Sequence, residues 1–270
     1  MGTKIIISHD VDHIKPFEHK RDLILPKFIV RNFIEYVIGN ISTLELKNRF
    51  KSIIENKWQN IEELMRFDRE NEVVSTFFLA VNNGKGLSYS LEDAEFWIKR
   101  ILGKGFNVGV HGIGYENLNS INREHKIFRS LSGLKKFGIR MHYLRVSKDI
   151  LKFLNKAGYL FDSSLFRMSN PYKVGKIWEF PLHVMDSYVF YDGSRWQNRN
   201  LKQAIETTKR TLERTLNKDI QYFTILFHDR YFSDAYMTWK DWYIWVIKYL
   251  KDNGFRFTDY HQAIKEMKLH

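Results

Sequence analysis

At 270 residues, with no cysteine and a formal net charge of +12, the chain excludes a disulfide framework and any thiolate metal site. Its 44% hydrophobic and 16% aromatic content suffices for a globular core and excludes a disordered polyelectrolyte. The positive balance favours anionic partners, whether nucleic acid, acidic lipid or phosphorylated small molecules, against the alternative of a lysine-rich surface with no partner.

The first run, KIIISHDVDH over residues 4–13, reads as a buried strand, 4–9, that ends on His9, Asp10, Asp12 and His13. No charged, apolar and cleavable leader precedes it, so the expectation is an intracellular chain, cytoplasmic or at the inner face of the membrane. Residues 23–38, LILPKFIVRNFIEYVI, are the most apolar stretch; Pro26, Lys27, Arg31 and Glu35 interrupt them, and they are too short and too charged to span a bilayer. This helix is expected to bury its apolar face against the body of the protein, with docking on a membrane surface or a second subunit as the alternative. A second helical pattern covers 45–70, and together they form a helical insertion of about residues 14–71 over the mouth of the fold. Beyond it, strands at 73–81, 107–112, 140–145, 159–165, 177–184, 222–228 and 255–260 alternate with helices at 91–103, 122–137, 148–157, 199–217, 237–252 and 261–268. Gly105, Gly138, Gly158 and Gly254 punctuate the passages from helix to strand. Alternation of this kind without a linker predicts an α/β fold, a distorted barrel of seven or eight β/α units, as one domain over 1–270.

In α/β barrels the C-terminal ends of the strands converge on one mouth. Here those ends carry Asp10 and Asp12, His111, Arg140 and His142, Asp162, His183 and Asp186, then His228 and Asp229. Asp-x-Asp at a strand end puts both carboxylates on one pleat face, where they repel unless a cation lies beside them. A divalent ion on one carboxylate and two imidazoles answers that demand and leaves the second carboxylate to take a proton from water. The competing reading makes Asp10 and Asp12 loop and helix-cap residues. His9, on the opposite pleat face, is expected to pack against a helix. Trp242, Trp245, Val246 and Tyr249 share one helix face, expected to pack into the core, with stacking on a sugar as the alternative.

Taken in order, SHDVD, VHGIGYE, RMHYL, FDSSL and ILFHD resemble the five motifs of the polysaccharide deacetylases of the NodB-homology group. That resemblance implies a distorted β/α barrel and a metal-dependent hydrolase that removes N- or O-acyl groups from sugars. It makes Asp10 the base, oriented by Arg140, makes Asp12 and His111 metal ligands, and makes His228 the general acid with Asp162 as its partner. The pattern departs in two places: Tyr115 stands where a second histidine is usual, and His142 stands where a proline is usual. His142 is therefore expected to complete the metal set, with Tyr115 as the alternative. The Tyr143 amide is the candidate oxyanion donor, and Trp196, Arg199 and Asp186 are candidate substrate contacts. The implied cofactor is a divalent ion, zinc first, with cobalt, nickel or manganese as alternatives. Absence of an export signal and the positive charge then point to an anionic N-acylated sugar, nucleotide- or lipid-diphosphate-linked, in surface polysaccharide (O-antigen or capsule) synthesis. The other readings are an amide hydrolase of nucleobase catabolism and a non-catalytic carbohydrate-binding protein. Basic residues are scattered and no recognition motif appears, so nucleic acid is not expected as a partner.

Overall fold

Ile5, Ile6 and Ile7 are buried on both faces of the first strand, β1 (Lys4–Val11), as a continuous apolar run in a parallel sheet requires. The structure is a computed structural model that describes every residue except 1, 20, 21, 85, 192, 194–196 and 270. After β1 come three helices, α1 (Ile24–Val37), α2 (Thr43–Ile54) and α3 (Ile61–Glu70). The chain then runs β2 (Thr76–Leu79), α4 (Leu91–Gly103), β3 (Asn107–Gly112), α5 (Leu118–Ser132), β4 (Ile139–Met141), α6 (Ile150–Ala157) and β5 (Phe161–Asp162). A hairpin, β6 (Tyr172–Val174) and β7 (Ile177–Glu179), leads to β8 (Val184–Met185), α7 (Asp186–Tyr191) and α8 (Leu201–Leu216). The last elements are β9 (Tyr222–Leu226), α9 (Met237–Asp252), β10 (Arg256–Thr258) and α10 (Tyr260–Met267).

The strands form one curled sheet in the order β6-β7-β5-β4-β3-β2-β1-β9-β8, with β10 beside β1. All pairings are parallel except that of β6 with β7. One long strand organises the centre. Lys4–Ile6 of β1 pair with β10, whereas Ser8–Val11 pair with β2, so β1 alone runs from the bottom of the sheet to its mouth. The path does not close into a ring among the described residues; a lone bridge, Phe166 to Leu182, lies near its two ends. The fold is thus a distorted, half-open β/α barrel.

Several element boundaries differ from the sequence reading, each for a local reason. The helix expected over 45–70 is two, because 55–60 break the run between α2 and α3. The helix expected at 122–137 starts earlier, where the Asn117 side chain accepts from the Ser120 amide, and stops at Gly133, whose φ of 70° is a left-handed cap. The strand expected over 177–184 is interrupted at Pro181, which has no N–H for a ladder. β6 and α7 were not anticipated.

The largest departure concerns α1. Its buried residues are Phe28, Asn32 and Glu35, while Val30, Phe33 and Val37 are 58%, 52% and 80% exposed. The inward face is polar because it builds an ion cluster: Glu35 accepts from Arg31 at 2.7 Å and from Arg49 of α2 at 2.6 Å, and Arg49 also donates to Asn32 and to the Ala235 carbonyl. α3 is anchored through Asp68, which is bonded by His9, Ser75 and Tyr243. His9 therefore does pack against the insertion, facing away from the mouth. No helix of the described residues is long and apolar enough to cross a membrane.

Candidate active site

Strand alternation puts Ser8, Asp10 and Asp12 on the inner side of β1, opposite His9. Asp12 sits one residue beyond the strand, at the level of the ends of β3 and β4. His111 on β3 pairs in register with Arg140 on β4, and His142 follows β4 directly. The next two residues, Tyr143 and Leu144, have φ of 57° and 51°. Two consecutive left-handed non-glycine residues are costly, and here they turn the chain sharply at the point where His142 faces His111.

Asp12, His111 and His142 converge. Asp12 Oδ1 lies 3.1 Å from His111 Nε2 and 3.2 Å from His142 Nδ1, and the two nitrogens are 3.0 Å apart. His111 Nδ1 donates to the Arg140 carbonyl at 3.1 Å, and because a carbonyl only accepts, Nε2 is left as a lone pair aimed at the carboxylate. Burial would raise the Asp12 pKa, but His142, His111 and His228 around it hold it well below the usual range. One carboxylate oxygen and two imidazole nitrogens thus surround one point. Nitrogen and oxygen ligands about 2.0–2.2 Å from a tetrahedral ion lie roughly 3.3 Å apart, close to the separations here, so the donor set fits a divalent metal. The Arg145 guanidinium lies over the Tyr115 ring at 5.8 Å.

Asp10 stands beside the cluster, its Oδ2 3.8 Å from His111 Nδ1. Arg140 donates to Asp10 Oδ1 at 3.1 Å. The remaining donors of Arg140 reach the Ser8 hydroxyl, the Ser163 carbonyl and hydroxyl, and the Tyr260 hydroxyl, while its plane covers Phe78 at 4.5 Å. A fully hydrogen-bonded guanidinium holds its carboxylate in one orientation. Ser8, Ser163 and Tyr260 were not foreseen, since each is an ordinary core residue until Arg140 is placed.

His228, at the end of β9, is held by Asp186 and not by Asp162. Asp186 Oδ1 is 2.9 Å from His228 Nδ1, and Oδ2 accepts the His228 amide at 2.7 Å. The adjacency follows from β8 pairing with β9, Met185 opposite Leu226. Burial would lower the His228 pKa; Asp186 outweighs it, with Asp12 and Asp10 adding, and lifts it to about 10. His228 Nε2 is 3.7 Å from Asp12 Oδ2. Asp162 is instead opposite Glu179 in the β5–β7 register and bonded to Ser164. Burial raises both pKa values of that carboxyl pair, and Asp162 raises that of Glu179 further. Asp186 is itself fully buried, which replaces the expected substrate contact with a positioning one. Arg199 donates to the carbonyls of Tyr188 and Val189 and is not among the described residues that line the cavity. Trp196 lies outside the described residues. His183 is buried on Thr224 and the Ser169 carbonyl.

Asp10, Asp12, His111, His142 and His228 line a cavity of about 450 Å³ together with Tyr143, Tyr188, Tyr191, Tyr231, Arg230 and, from α1, Lys27, Phe28 and Arg31. A larger cavity of about 770 Å³ opens at the other end of the strands, around Lys4, Trp178 and Tyr222. Among the described residues it holds no cluster of metal-ligating groups, so size does not identify the site; position and chemistry do.

The half-open β/α barrel is the fold seen in solved structures of polysaccharide deacetylases and of an allantoinase. The chain is similar in structure to a provisionally named polysaccharide deacetylase from Mycobacterium smegmatis, with a TM-score of 0.65 and 14% identity over 100% of this chain and 92% of that one. It is also similar to Puue allantoinase, with a TM-score of 0.63 and 9% identity over 96% and 87%. A third likeness is to a provisionally named polysaccharide deacetylase from Pseudomonas aeruginosa PAO1, with a TM-score of 0.59 and 10% identity over 96% and 88%. The sequence matches no family model and no curated protein.

Proposed function

We propose that the protein is a metal-dependent hydrolase that removes an acyl group from a sugar. The observation that carries this reading is the meeting of Asp12, His111 and His142 with Asp10 beside them and open space above. Asp12, His111 and His142 would hold the ion, with zinc favoured by a donor set of two imidazoles and one carboxylate. A divalent ion there supplies Lewis acidity to an acyl oxygen and to water. Asp10, kept oriented by Arg140, takes the proton of the attacking water. His228, kept protonated by Asp186, gives a proton to the departing amine or hydroxyl. The Tyr143 amide, in the sharp turn after His142, is the candidate donor to the oxyanion.

The substrate we favour is an N-acylated amino sugar attached to a nucleotide or lipid diphosphate. Supporting this are the net charge of +12 and α1, which turns Lys27 and Arg31 toward the cavity and an apolar row outward. The likeness to an allantoinase favours a ring or linear ureide amide as the second substrate class. Acetate release from acetylated amino sugars, measured beside ureide hydrolysis with zinc-loaded protein, separates the two. Asp10→Asn should keep stoichiometric zinc and lose about 10²–10⁴ in kcat, whereas Asp12→Asn should lose the zinc itself. Turnover near wild type in both variants would refute the scheme.

A further inference from the structure

The cavity holds a cation that the hydrolytic scheme does not use. Arg230 lies two residues after His228 and lines the same space as Asp12, yet it is only 9% exposed. Its guanidinium lies 3.8 Å from the centre of the Trp58 ring, with Phe28 at 4.7 Å and Tyr236 at 5.8 Å. Its Nε and Nη2 have no hydrogen-bond partner, and no carboxylate of the described residues pairs with it. Asp22 is committed to His19, which in turn meets His13, another lining residue. Aromatic faces offset part of the cost of burying a charge but leave the in-plane donors unanswered. A guanidinium at the cavity lining with no carboxylate counter-ion among the described residues attracts the negative charge of a phosphate or carboxylate, and Lys27 adds a second positive charge to the same lining.

We propose that Arg230, with Lys27, forms an oxyanion subsite that takes a phosphate or carboxylate group of the ligand. The subsite deepens the acyl-sugar reading and rests on it only for what the rest of the ligand is. Calorimetric titration of metal-free, full-length protein with inorganic phosphate and, separately, with glucuronate tests it directly and identifies which anion is taken. Wild type should bind at least one of them; Arg230→Met should weaken that binding by at least about tenfold, while the exposed Arg210→Met control should not. The ligand-free Tm of Arg230→Met should be no lower than wild type, because methionine keeps the contact with Trp58 and removes an unpaired buried charge. Equal anion affinity in wild type and Arg230→Met, or no binding of either anion to wild type, overturns the subsite; a fall in Tm with anion binding intact marks a structural arginine. Should Arg230→Met not fold, Arg230→Gln makes the same comparison. With active enzyme, Arg230→Met should raise KM for N-acetylglucosamine 1-phosphate and leave KM for N-acetylglucosamine unchanged. Anion loss in Arg230→Met alongside no turnover of either sugar by wild type would keep the subsite and reject the hydrolase.

Discussion

Asp10 and Asp12 are the same side chain two positions apart, and their surroundings assign them different work. Asp10, 2% exposed, is claimed by Arg140, whose other donors are all occupied, so it is held in one orientation. Asp12 faces only imidazoles and the open cavity. His228 shows the same logic in a base: burial alone would favour its neutral form, and the carboxylate of Asp186 reverses that preference. A general acid must be protonated, so activity should fall on the alkaline side as His228 loses its proton. In Asp186→Asn the supporting charge is gone and that limb of the kcat profile should move to lower pH, whereas Asp162→Asn should leave its position unchanged. A limb that moves in Asp162→Asn and not in Asp186→Asn would show that the hydrogen bond from His228 to Asp186 has no bearing on the acid.

At the scale of elements, the insertion is fastened by polar contacts where apolar ones were expected. α1 buries Glu35 between Arg31 and Arg49, and Arg49 reaches past it to the Ala235 carbonyl. Removing one member of a buried ion cluster strands the others and costs about 3–5 kcal/mol. Glu35→Gln should therefore loosen α1 and α2 while the sheet, which shares none of these contacts, stays intact. Hydrogen exchange should quicken in residues 24–54 and remain slow in β1 and β9. Uniform protection across both regions would mean that the cluster adds nothing to the attachment of the insertion.

For the whole molecule, the arrangement joins three properties at one end: a half-open barrel mouth, an insertion arching beside it, and an outward apolar row of Val30, Phe33 and Val37. Combined with a net charge of +12, this suits contact with an anionic lipid surface, where apolar burial and electrostatic attraction add. Sedimentation with phosphatidylglycerol-containing vesicles should carry down wild-type protein at low salt, and Phe33→Ser/Val37→Ser should reduce the bound fraction severalfold. Equal sedimentation of the two would place lipid contact elsewhere or nowhere.

The strand ends were legible because alternation and clustering are local properties: KIIISHDVDH announces a buried strand with two carboxylates on one face, and RMHYL carries its histidine two residues after an arginine. From these followed the barrel class and the placing of Asp12, His111 and His142 at one mouth. What the sequence could not determine were pairings between distant segments. Whether Asp162 or Asp186 meets His228 depends on β8 lying beside β9 and β5 beside β7, which is a matter of sheet order. The outward turn of the apolar face of α1 depends on Arg49 and Ala235, remote in the chain, offering better partners to its polar side. The empty-handed Arg230 is visible only once Trp58 and Phe28 close around it. Periodicity records which face of an element is apolar; only packing decides what that face, and each charge on the other, will meet.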